Sequence, residues 1–178
     1  MGNLAVLILR AVLGLLMAGH GSQKLFGWFN GPGIEGTSGF LESLGLRPGR
    51  RWAYLAGLSE FGGGVLMVLG FLNPLGPLAV IGSMAMATAT AHTLKPIFVA
   101  EGGAELPVTN MAAAMAIILN GPGKYSLDRA LGTRLPVWLA PLGLVAIVLS
   151  VIYGPASETE QPEEKEVEAR EELAGEEE

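Results

Sequence analysis

The 178-residue sequence contains no cysteine. On its own the chain therefore cannot perform dithiol chemistry, hold an iron–sulfur cluster or carry a disulfide, and thiols give no reading of its redox compartment. Charge is also scarce, at 16% of residues, and histidine occurs only twice. Most of the acidic residues lie after Pro155, so the chain upstream is greasier than its 50% apolar content suggests. No nucleic-acid partner is expected. Gly-rich dinucleotide fingerprints need a strand before them, and none is expected here.

What remains is a series of apolar runs. A bilayer crossing takes about 20 mainly apolar residues, and five stretches suit one: Leu4 to Phe26, Trp52 to Leu72, Leu75 to Leu94, the shorter Leu106 to Asn120, and Leu135 to Tyr153. The first has no basic region ahead of it and carries Arg10 within it, which argues for a retained helix rather than a signal peptide. Glycine, 26 residues in all, falls inside these runs, as in Gly62-Gly63-Gly64, where small residues let helix backbones approach closely in lipid. The expected fold is an all-α membrane protein: a four-helix transmembrane bundle over 1–132, an added transmembrane helix over 133–154, and a disordered acidic tail over 155–178. It implies a multi-pass protein of the cell membrane, solvated by the lipid bilayer.

Between the first two runs, Phe40, Leu41 and Leu44 share one helical face, with Thr37 or Ser38 as N-cap, so a short interfacial helix is expected. Asn73-Pro74-Leu75-Gly76-Pro77 marks a tight turn between the second and third helices. Pro107 suits the first turn of the fourth, Gly121-Pro122-Gly123 ends it, and Ser126 suits the cap of another short helix. Trp138 and Tyr153 stand where interfacial anchors of the fifth would.

Few ionisable residues lie in or near the runs, and a charge at mid-membrane costs roughly 2.5–3.5 kcal/mol. With consecutive helices antiparallel, His20, Lys24, Glu60, His92 and Glu105 all belong to one side of the bundle. Glu60 lies about 13 Å along its helix from Arg51 at 1.5 Å per residue, too deep to stand without a partner. Lys24 is the simplest one, with His20 a helical turn before it. Imidazole and carboxylate groups in an apolar setting suit proton delivery, so these five residues are the candidate catalytic set. The plain alternative is that the ion pair fixes helix register and the histidines bond backbone carbonyls. Arg10 reads as structural or snorkelling, and Met84, Met86, Met111 and Met115 as packing. Two histidines on one side would suit axial ligation of haem iron, but no C-x-x-C-H attachment motif accompanies them. No metal-ligand spacing is present.

Four segments in order, "HGSQKLFG", "YLAGLSEFGGGVLMVLGFLNPLG", "GGAELP" and "GPGKYSLDRALG", resemble the DoxX family of bacterial and archaeal membrane proteins over residues 4 to 132. The resemblance implies a four-helix membrane core that acts as an oxidoreductase or a subunit of one. Relatives are associated with quinone-coupled thiosulfate oxidation and with membrane complexes that manage thiol or oxidative stress. The family's patterned residues fall on Gly21, Lys24, Leu25, Glu60, Gly63, Gly70, Gly103, Gly121, Gly123, Ser126, Leu127 and Asp128. The expected function is a component of a quinone-linked oxidoreductase, with quinone as cofactor and an electron-donating protein partner. The alternatives are a non-catalytic membrane subunit or anchoring factor for a soluble protein, and a small transporter.

Overall fold

The computed structural model describes residues 2–93 and 95–153; the acidic tail expected over 155–178 lies outside them. Among the described residues there are seven α-helices and no strand. They are α1 (Asn3–Phe26), α2 (Gly33–Ser43), α3 (Gly49–Leu69), α4 (Leu75–Ala91), α5 (Glu105–Asn120), α6 (Leu127–Leu131) and α7 (Leu139–Tyr153), with single 3-10 turns at Trp28–Asn30 and Val99–Glu101.

Each long helix ends where the backbone chemistry requires. Gly27 caps α1 at φ 70° and Gly70 caps α3 at φ 62°, both left-handed conformations that cost a side-chain-bearing residue about 1–2 kcal/mol. The cap at Gly70 stops α3 at Leu69, three residues before the apolar run ends at Leu72. Helix α7 starts at Leu139, later than the apolar run that begins at Leu135. The short helix α2 also differs from expectation at its start. Its N-cap is Pro32, while Thr37 and Ser38 are buried within it and Thr37 Oγ1 donates to the Gly33 carbonyl 2.7 Å away. The N-cap expected at Ser126 is present, its hydroxyl accepting from the Arg129 amide at 3.2 Å.

Helices α1 and α3 pack antiparallel along a seam of small residues. A Cβ added at Gly14 would lie 2.7 Å from the Gly64 carbonyl oxygen, and one added at Gly21 would lie 2.3 Å from the Phe61 amide nitrogen. The backbones are thus as close as they can come, the arrangement that small-residue interfaces allow in lipid. Helix α4 continues the antiparallel order, with Gly63 against Gly76, and α5 packs on α4. Met17, Met67, Met84 and Ile117 belong to the shared core. Helix α7 lies along α4 with Gly143 at Leu78 and Gly82 at Ile147, so the two run parallel. It has no buried residue.

The outside of the bundle is apolar. Leu4, Ile8, Val12, Leu15 and Leu16 form a continuous exposed stripe on α1, and Leu142, Val145, Val148 and Ile152 another on α7. A water-soluble monomer rarely shows contiguous apolar surface on this scale. Helices α1, of 24 residues, and α3, of 21, are long and apolar enough to cross a membrane.

Candidate functional site

Of the five candidate residues, the structure brings Lys24 and Glu60 together. Glu60 sits on the buried face of α3 with Gly57, Gly63 and Gly64 and is 2% exposed. Its Oε2 receives the Lys24 ammonium, and its Oε1 accepts from the Ser83 hydroxyl of α4 at 2.8 Å. Both carboxylate oxygens are therefore bonded, which a buried charge requires. The approach depends on glycine. A Cβ at Gly57 would strike Leu25 Cδ2 at 2.6 Å, and Leu25 is the residue next to Lys24. The Lys24 side chain is 29% exposed, so the pair reaches from the interior toward the loop end of α1. Phe26 and Phe61 lie beside it in sequence and meet edge to face at 5.5 Å, and the Trp28 ring is 5.1 Å from Phe26.

The other three candidates are placed differently. His92 is the C-cap of α4, and its Nδ1 is 2.6 Å from the Gly102 carbonyl oxygen. A protonated Nδ1 donating there leaves Nε2 as the ring's free nitrogen. Glu105 is exposed at the start of α5; its Oε2 accepts from the Val99 amide at 2.9 Å, while its own amide donates to the Ile97 carbonyl at 2.9 Å. Both residues thus hold the α4–α5 loop in shape. His20 is exposed, without a hydrogen bond or ion pair among the described residues. It lies about 100° round α1 from Gly21, to the side of the seam with α3, and it does not join the Lys24–Glu60 pair.

A second polar cluster lies about 21 Å along α1, fourteen residues back at 1.5 Å each. Arg10 is 1% exposed, which overturns the snorkelling reading. Its Nη2 donates to the Tyr125 carbonyl, and its Nε and Nη1 have no partner among the described residues. The guanidinium lies against the bare Cα of Gly70, where an added Cβ would be 1.4 Å from Nη1. Buried Asp128 is its counter-charge. Asp128 Oδ1 and Oδ2 accept from the amides of Leu72 and Asn73, each at 2.9 Å, and its own amide donates to Gly70 O at 3.1 Å. Helix α6 is thereby locked onto the α3–α4 turn.

The DoxX family model matches residues 5–93, half of the chain. The chain belongs to the DoxX family. It is also similar to Inner membrane protein YqjF of Escherichia coli (strain K12), with 29% identity over 136 residues that cover 74% of this chain and 95% of the relative. No solved structure matches. Family membership, the inner-membrane relative and the exposed apolar helices together make this an all-α membrane protein.

Most of the residues that the resemblance singled out fall on the two clusters. Gly21, Lys24, Leu25, Glu60 and Gly63 build the first, while Gly70, Ser126 and Asp128 surround Arg10 in the second. Gly121, Gly123 and Leu127 flank the second, in the stretch from the end of α5 into α6, and Gly103 lies apart from both, packed so tightly on the α4–α5 loop that a Cβ would lie 1.8 Å from the Pro96 carbonyl oxygen. Sequence reasoning missed Ser83, a single hydroxyl with no charge to flag it. It also missed the joining of Arg10 to Asp128, although a lone arginine in an apolar helix is itself a signal that an acid must come to it.

Proposed function

We propose that this DoxX protein is a multi-pass component of a quinone-linked membrane oxidoreductase, with the Lys24–Glu60–Ser83 centre handling protons. The observation that carries the reading is the buried Glu60 carboxylate, which is linked through the partly exposed Lys24 ammonium to the edge of the bundle. Intramembrane ionisable groups of this kind mark proton or substrate paths by default. Five helices, α1, α3, α4, α5 and α7, would cross the bilayer, the shorter three with help from their flanking loops.

The residues beside the pair fit a quinone. Phe26, Trp28 and Phe61 offer aromatic surface for a flat ring, and Lys24 is a donor suited to a carbonyl oxygen. A bound quinone would supply electron acceptance coupled to proton uptake. The chain's own part is to hold a proton at the Glu60 carboxyl, keep it from bulk water, and compensate charge with the Lys24 ammonium. With no cysteine, no dinucleotide fingerprint and no metal-ligand spacing in its sequence, the chain would take its electrons from a separate electron-donating protein.

A second reading, a non-catalytic subunit that anchors a soluble enzyme, is favoured by the completed bonding of both Glu60 oxygens. The test is isolation of the protein with its native partners, organic extraction for quinone, and turnover assays with candidate donors. Glu60→Gln, which keeps an oxygen for Ser83, is expected to lower quinone-dependent turnover at least 100-fold, the scale of lost general acid–base catalysis. No co-purifying quinone and no quinone-dependent turnover would refute the oxidoreductase reading. Substrate counterflow in liposomes would point instead to transport.

A further inference from the structure

The two ends of the bundle differ in charge. Among the described residues, the end formed by the α1–α3 connection, the close of α4 and the start of α5 carries Lys24, Arg47, Arg50, Arg51 and Lys95 against Glu35, Glu42, Glu60, Glu101 and Glu105, five of each sign. The opposite end, where α1 begins, α3 meets α4, and α5 leads through α6 into α7, carries Arg10, Lys124, Arg129 and Arg134 against Asp128 alone among the described residues. There the structure has a hollow of about 600 Å³ lined by Lys124, Arg129 and Arg134 together with Asn3, Asn73 and Asp128. The side chains of the three cations form no ion pair or hydrogen bond among the described residues. Asp128, also in the lining, is the one carboxylate there and is the counter-charge of buried Arg10, so the three cations outnumber it.

The walls of this hollow are fixed. Asn3 Oδ1 accepts from the Lys124 amide at 2.8 Å, joining the first turn of α1 to the α5–α6 loop, and Ser126 caps the helix that presents Arg129. Within a few residues of its lining in sequence are exposed apolar and amphipathic side chains: Leu4, Tyr125, Leu131, Val137, which is 91% exposed, and Trp138. Tryptophan and tyrosine at such a level are interfacial anchors. An unpaired cationic hollow at the end of membrane helices, bordered laterally by surface that only acyl chains would cover, has the chemistry of a phospholipid head-group site. A free anion would use the cations but leave the apolar border unexplained.

We propose that the Lys124–Arg129–Arg134 hollow binds the phosphodiester of an anionic phospholipid, whose acyl chains run down the exposed faces of α1 and α7. This goes beyond the redox reading and does not depend on it. Arg129 and Arg134 suit phosphate oxygens through their planar donor forks, and Lys124 supplies a point charge. Asn3 and Asn73 offer amide groups for the remaining polar atoms of the head group.

The full chain, purified in non-ionic detergent, is titrated with dioleoyl phosphatidylglycerol, dioleoyl phosphatidylcholine or sodium phosphate at matched ionic strength, and bound lipid is counted by native mass spectrometry. Phosphatidylglycerol is expected to bind at least tenfold tighter than phosphatidylcholine. The variant K124Q/R129Q/R134Q should weaken phosphatidylglycerol about 100-fold at low salt, about fivefold per cation. R47Q/R50Q/K95Q removes the same charge from the other end and should change affinity less than twofold. The proposal is overturned by equal losses in the two triple variants, by no preference for phosphatidylglycerol in the unmodified chain, or by displacement of the lipid by millimolar phosphate beyond a chloride control. If the first triple variant does not fold, R129Q and R134Q singly should each cost about fivefold, and no change in either refutes the site.

Discussion

Replacing Gly70 by alanine tests whether the buried arginine organises its end of the bundle. Two separable costs are expected. The first is conformational: Gly70 is left-handed at φ 62°, and a Cβ there costs about 1–2 kcal/mol. The second is steric, since the new Cβ would lie 1.4 Å from Arg10 Nη1 and 2.6 Å from its Cζ, so the guanidinium must shift by about 2 Å to reach van der Waals distance. That shift breaks the Arg10 bond to the Tyr125 carbonyl, a hydrogen bond from a charged group worth about 1.5–3 kcal/mol. Gly70→Ala should therefore destabilise the protein by about 3–5 kcal/mol. In an Arg10→Met background the clash with the guanidinium vanishes while the backbone strain and the contact with Ser126 Cβ, 2.7 Å from the new Cβ, remain in both backgrounds, so the same substitution should cost about 2–3 kcal/mol less than in the parent. The cycle thus predicts a coupling energy of about 2–3 kcal/mol, read from unfolding of the four proteins in mixed micelles titrated with sodium dodecyl sulfate and followed by tryptophan fluorescence. A coupling below about 0.5 kcal/mol, the level expected for independent sites, would refute the contact between Gly70 and the guanidinium.

In the same assay, Lys24→Met leaves the Glu60 carboxylate buried without its counter-charge and should cost about 3 kcal/mol, while Lys24→Met combined with Glu60→Leu should return to within about 1 kcal/mol of the parent. Equal costs for the single and double variants would show that the pair adds nothing beyond side-chain packing. The three consecutive glycines should separate by face. A Cβ at Gly62 meets nothing within 4 Å, so Gly62→Ala should be neutral or stabilise by up to about 1 kcal/mol through helix propensity. At Gly64 it would lie 2.5 Å from both the Gly14 carbonyl oxygen and the Ala18 amide nitrogen, so Gly64→Ala should cost about 1–3 kcal/mol by forcing α1 from α3. Similar effects at the two positions would contradict the packing of that seam.

How much of this was legible in sequence depended on the kind of signal. Helix α1 was readable to its last residue, because the apolar run and the glycine that caps it coincide at Phe26 and Gly27. Helix α3 was not, because Gly70 sits inside an apolar run and only its left-handed backbone reveals it as a stop. The Lys24–Glu60 pair was readable from charge alone: two opposite charges on antiparallel helices have few other ways to be satisfied in an apolar setting. For His20 a spacing of four from Lys24 left its surroundings open, because contact with a neighbour depends on the angle to the packing seam, which Gly21 marks. The Arg10–Asp128 cluster spans 118 positions of chain and uses backbone amides as its main donors, so no local pattern announces it.

The two clusters solve the same physical problem in opposite ways. Each brings a charge into an apolar bundle, and each uses glycine to admit it. At Glu60 the charge is matched by side chains, Lys24 and Ser83, and the ammonium remains partly exposed, so the bonds of that carboxylate hold no backbone group in place. At Asp128 the carboxylate instead holds two backbone amides of the α3–α4 turn, so neutralising it would release the turn itself. A group whose protonation unfolds its surroundings is poorly suited to turnover, whereas one bonded to movable side chains is well suited. That difference is the physical ground on which the proposed function places proton handling at the Lys24–Glu60 end, and it leaves the Arg10–Asp128 end as fixed architecture.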